Sequence, residues 1–147
     1  MDYMEEAIKE ARKALKYGEV PVGAVIVKDD KIISRAYNLK ERRNDVTAHA
    51  EVLAVREASK YINNWRLTGC SMYVTLEPCP MCAAAIVQSR LSKLYIGAPD
   101  IDSGACGSVI NLVQNNYLNY WMDVKWQYND DCSELLSEFF RTKRRKQ

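Results

Sequence analysis

Cys79 and Cys82 stand one helical turn apart in the stretch Thr75-Leu76-Glu77-Pro78-Cys79-Pro80-Met81-Cys82. Residues i and i+3 of a helix share a face, so the two sulfurs can converge on one atom. Pro80 suits a first helical turn, where its missing N–H has no intrahelical partner. A helix start also favours thiolate over thiol. Three chemistries fit the pair: two small buried hydrophobes, a thioredoxin-type redox couple, or half of a metal site. The single histidine of the chain, His49 in Thr47-Ala48-His49-Ala50-Glu51, selects among them. Alone it would pass for a packed or capping residue. Together His49, Cys79 and Cys82 make three zinc ligands with an open fourth position, the pattern of catalytic rather than structural zinc. In a helix interior Glu51 would point about 200° away from His49. Both reach one site only if the motif straddles a helix start. There Glu51 can shuttle protons at the open position; anywhere else it is an ordinary exposed helical acid.

The elements that must position these residues follow from periodicity. From Met4 to Tyr17 apolar residues recur at helical spacing (Met4, Ile8, Ala11, Leu15), with Gly18 at the C-terminal cap. VPVGAVIV reads as a buried strand, KDDK as a polar turn and IISRAY as its hairpin partner. AHAEVLAVREASKY reads as a second helix with Thr47 as N-cap. SMYVTL is a strand, PMCAAAIVQSR a third helix and KLYIGA a strand. Pro99 to Ser108 is a loop, followed by an expected short helix through Val113. A strand around MDVKWQ and a helix from about Asp131 close the chain. Five strands alternating with helices after a hairpin predict an α/β fold, a three-layer α/β/α sandwich around a mixed five-stranded sheet. Ligands of such sheets sit at carboxyl ends of strands. Cys79 lies just past one.

A chain of 147 residues, 48% hydrophobic and 27% charged, is expected to form one domain over 1–147. No apolar run reaches the ~20 residues of a membrane span, and the acidic, amphipathic first residues are unlike a secretory signal. A cytoplasmic setting is expected, where five cysteines stay reduced. The net charge of +2 is a weak footprint for a nucleic-acid binder. The charge is uneven, however: residues 141–147, RTKRRKQ, carry five cations and no acid. That basic tail favours a polyanionic partner.

H-A-E followed by P-C-x-x-C resembles the signature of the zinc-dependent nucleobase deaminases. Over nearly the whole chain the sequence is similar to the bacterial tRNA-specific adenosine deaminases, on GEVPVGAVIV, DVTAHAEVLAVREA, NNWRLTGCSMYVTLEPCPMCAAAIVQSR, IGAPDIDSGACGS and LLSEFF. The resemblance implies a cytidine deaminase-like fold, one zinc ion per subunit on His49, Cys79 and Cys82, and Glu51 as proton carrier. It further implies hydrolysis of adenosine to inosine at the wobble position of a tRNA anticodon stem-loop, by a homodimer. Asn38, Val20, Leu76 and Asp100 match the family's nucleoside-binding positions. Phe139, Phe140, Arg141, Lys143 and Arg144, with Arg145 and Lys146, would meet RNA.

Three positions depart from the family pattern. Val46 stands where proline is common, Asn119-Tyr120-Trp121 replaces a common Asn-His-Arg, and WMDVKWQYNDD is shorter and lacks a glycine. Two rivals stay open beside this reading. One is a deaminase of free guanine- or cytosine-type bases or nucleosides, where P-C-P-M-C also occurs. The other is a non-catalytic zinc module closed by Cys70, Cys106 or Cys132.

Overall fold

The computed structural model describes residues 1–145; Lys146 of the basic tail lies outside them. Helix α1 spans Tyr3–Leu15, opened by the Asp2 carboxylate, which accepts the Glu5 N–H at 3.1 Å. Its end follows the pattern read from Gly18. The Gly18 N–H bonds to Leu15 O and the Glu19 N–H to Ala14 O, with Gly18 left-handed at φ 70. This is a Schellman closure, which favours glycine because it has no Cβ to clash.

Strand β1 (Gly23–Lys28) turns through Asp29 and Asp30, both at positive φ, into β2 (Lys31–Tyr37). Two left-handed residues match a two-residue hairpin to the twist of its strands. Strands β3 (Ser71–Val74), β4 (Lys93–Ile96) and β7 (Asp123–Trp126) complete a sheet of order β2-β1-β3-β4-β7. The β1–β2 and β1–β3 pairs are antiparallel, and β3–β4 and β4–β7 are parallel. The sheet is mixed and five-stranded, as the sequence predicts.

Alternation along β1 shows the layering. Ala24 and Ile26 join a core with Leu53 and Ala54 of α2 (Ala50–Ile62) and Ala83 and Ile86 of α3 (Pro80–Gln88). Val25 and Val27 face the other way, onto Met4 and Ile8 of α1 and Cys132 of α4 (Asp130–Arg145). Both faces of the sheet are covered, which explains the near-continuous apolar run of β1. Gly23 lets α1 come close: a Cβ there would lie 2.1 Å from Ala7 O.

Two expectations need correction. Thr47 does not cap α2. Its N–H and hydroxyl both go to Asp45 Oδ1, at 2.8 and 2.7 Å, in a local Asx turn that holds the chain back until His49. Nor does a short helix run to Val113. Gly107 at φ 127 turns the chain, Cys106 bridges Asn111, and Asn111 Oδ1 takes the N–H groups of Val113 and Gln114. A small hairpin follows, β5 (Gln114–Asn115) with β6 (Tyr120–Trp121). Among the described residues no helix is long and apolar enough to cross a membrane.

Candidate active site

Two helix starts meet beneath one patch of surface. His49 is the N-cap of α2, extended at φ −79 and ψ 150, and Cys79 is the N-cap of α3, extended at φ −72 and ψ 173. Neither side chain is used for capping, so both are free to ligate. Pro80 follows Cys79 in the first turn of α3, where it fixes the helix start. Cys82 completes the turn. His49 Nδ1 lies 3.7 Å from Cys79 Sγ and 3.4 Å from Cys82 Sγ, and the three donor atoms lie within 4.8 Å of one another. Tetrahedral zinc with ordinary Zn–S and Zn–N bonds sets its ligand atoms about 3.6–3.8 Å apart. The donor set therefore fits zinc in chemistry and in spacing. No fourth His, Cys, Asp or Glu joins the group among the described residues; Cys70, Cys106 and Cys132 stand outside it.

The thiols respond to each other first. Cys82 donates to Cys79, and with help from His49 this draws the Cys79 thiol down to about 4. The same bond, with burial, pushes Cys82 far above the ordinary thiol range. His49 is raised, chiefly by its bond to Cys79. Glu51, in the first turn of α2, is 4% exposed. Burial pushes its carboxyl up to about 7, the range a group needs to take and return protons at neutral pH. The helix start does what the sequence required: His49 is still extended, so Glu51 can turn toward the same site.

The structure also has a groove of about 790 Å³, whose lining includes Leu76, three residues before Cys79 in the chain. Its walls are Val20, Leu76, the loop from Pro99 to Ser103, and α4 through Leu136, Phe140, Arg141 and Arg144. Val20, Leu76, Asp100, Phe140, Arg141 and Arg144 thus line one groove. Asn38 stands behind Val20, giving its Nδ2 to Val20 O at 3.3 Å and accepting the Lys40 N–H on Oδ1. One amide hydrogen and one lone pair remain to it. Phe139 and Lys143 face elsewhere. Phe139 is buried, with the Lys143 ammonium 5.3 Å over its ring, and both line a slot with Leu15 and Leu135.

Sequence reasoning missed two groups. Ser133, Leu136 and Ser137 also line the groove, and their spacing with Phe140, Arg141 and Arg144 is a helical stripe that could have been read. Glu19 and Glu77 are buried acids, 1% and 2% exposed, that hold loops through backbone N–H groups. Glu19 heads an apolar run and Glu77 follows one, but no charged partner in the sequence marks either of them. Of the departures from the family pattern, Val46 is exposed, and Tyr120 and Trp121 lie beside Arg66 and Arg90, outside the groove.

A family model described as the cytidine and deoxycytidylate deaminase zinc-binding region matches residues 1–98. Over 145 residues the chain is 49% identical to the tRNA-specific adenosine deaminase of Bacillus subtilis (strain 168), covering 98% of this chain and 90% of that protein. Its fold matches, at TM-score 0.87 and 42% identity, a structure from studies of A-to-I editing by tRNA:A34 deaminases at the wobble position of transfer RNA. That match covers 91% of this chain and 98% of the other. The X-ray structure of guanine deaminase from Bacillus subtilis matches at TM-score 0.63 and 34% identity, over 77% of this chain and 83% of that one.

Proposed function

The chain belongs to the cytidine and deoxycytidylate deaminase family, among its tRNA-specific adenosine deaminases, and from that premise we propose that it converts adenosine to inosine at the wobble position of a tRNA anticodon stem-loop. The observation that carries this reading is the meeting of His49, Cys79 and Cys82, with Glu51 buried in the first turn of the helix that His49 opens; a groove walled by Leu76, Phe140, Arg141 and Arg144 supports it. His49, Cys79 and Cys82 would hold the zinc. Bound there, zinc would lower the pKa of water toward the neutral range.

Glu51 performs the proton work. Its carboxylate takes a proton from water and delivers it to N1 of the adenine ring as oxygen adds at C6. It then carries a proton to the departing amino group, so that adenosine and water leave as inosine and ammonia. Val20 and Leu76 offer apolar walls to the base, and the remaining amide hydrogen and lone pair of Asn38 suit polar atoms of the nucleoside. Asp100, in the loop that walls the groove, is assigned to the sugar side. An anticodon loop suits the site because its bases splay out at less unstacking cost than in a duplex. Phe140 offers a ring for stacking, and Arg141 and Arg144 offer charge to phosphates. Phe139 and Lys143 support this face from the other side of α4. The whole of 1–147 is read as one deaminase domain, acting as a homodimer in the cytoplasm, where its thiols stay reduced.

The similarity to guanine deaminase and the Pro80 form of the motif favour a second reading, deamination of a free base or nucleoside. Ammonia release separates the two. With the zinc protein, tRNA should give ammonia while free guanine, cytosine, adenosine and cytidine give little. Release from the free compounds alone would overturn the tRNA reading.

A further inference from the structure

Glu77 sits two residues before Cys79 and takes no part in the chemistry described above. It is 2% exposed, and no Lys, Arg or His pairs with it among the described residues. A buried carboxylate of this kind persists only where charge-assisted hydrogen bonds surround it. Here they come from a single loop. Oε1 accepts the Asp100 N–H at 3.0 Å and the Ser108 hydroxyl; Oε2 accepts the N–H groups of Cys106 at 2.9 Å and Ser108 at 3.1 Å. The backbone adds two more ties, from Glu77 N–H to Ala98 O and from Ala105 N–H to Pro78 O. Gly104 lies flat on the carboxylate: a Cβ there would stand 2.4 Å from the Glu77 carboxyl carbon.

The loop held in this way has no strand or helix of its own from Pro99 to Gly104. It nevertheless supplies one wall of the groove, opposite Phe140, Arg141 and Arg144. Asp100 links clamp to wall. Its N–H is fixed by Glu77, while its own carboxylate takes the N–H groups of Asp102 and Ser103. We infer that Glu77 is a positioning residue: its carboxylate clamps the 100–108 loop and thereby sets the groove that receives RNA, an inference that rests on the groove being the RNA site. Every donor it faces on the backbone is an N–H, so the position calls for two acceptor oxygens. Glutamine supplies one. With its oxygen at the Cys106 and Ser108 amides, its NH₂ faces the Asp100 N–H, and that end of the clamp opens.

The test uses the zinc-loaded protein, Glu77→Gln and Ser108→Ala, with an anticodon stem-loop as substrate. Glu77→Gln should keep one zinc per chain and lose exchange protection at the Asp100 amide. Its KM should rise about tenfold while kcat changes less than about threefold. Ser108→Ala removes one donor at an exposed residue and should raise KM in the same direction by about threefold. Should Glu77→Gln lose zinc or fail to fold, Ser108→Ala decides alone. Unchanged KM, or a fall in kcat alone, overturns the clamp. Failure of the unaltered protein to deaminate the stem-loop would overturn the functional reading instead, and it is seen before any variant is made.

Discussion

Glu51 is buried against thiols at the start of a helix, a costly place for a carboxylate that has no proton to move. Glu51→Gln should therefore keep one zinc per chain by metal analysis and lower kcat by about 10²–10⁴. The cysteines divide by the same logic. Burial raises Cys70 and Cys106 and pushes Cys132 up to about 12, so all three are protonated at neutral pH, and all are buried. Cys79 is half-buried and drawn the other way. Iodoacetamide at pH 7.5 should label no thiol of the zinc protein, and Cys79 first once a chelator has removed the metal; mass spectrometry reads the order. Such residues were legible because chemistry restricts their types: one histidine and a spaced cysteine pair leave few meanings. The role of Glu77 was not legible, since its partners, backbone N–H groups and the Ser108 hydroxyl, leave no charged residue in the sequence to point at it.

At the scale of elements, α4 carries the polyanion hypothesis. Its exposed Arg141 and Arg144 face the groove without a carboxylate within ion-pair distance among the described residues. Replacing both with alanine should weaken tRNA binding and reduce the slope of log affinity against log salt by roughly 1–2, measured by filter binding. The end of α1 makes a second test. Gly18 is left-handed with open space around it, so Gly18→Ala meets backbone strain and no clash. A loss of about 1 kcal/mol is expected in denaturant unfolding. Periodicity revealed the long elements because a face buried over several turns leaves a repeating pattern. β1 was plain because both its faces are covered. The Thr47 cap and the helix to Val113 were misread because single side chains, Asp45 and Asn111, captured the backbone locally. β5 and β6, two residues each, are too short to carry a period.

For the whole molecule, the starts of α2 and α3 bring His49, Cys79 and Cys82 together, so a metal held by them would tie α2 to α3. Chelating zinc should lower the melting temperature as well as abolish ammonia release, and added zinc should restore both. The account stands most directly on where inosine forms. The zinc protein and Glu51→Gln, each incubated with total tRNA, are compared by mapping inosine along the RNA. Inosine confined to the wobble position of an anticodon loop, made by the first and absent with the second, is the predicted result. No inosine from the zinc protein, or equal amounts from both, would contradict the account.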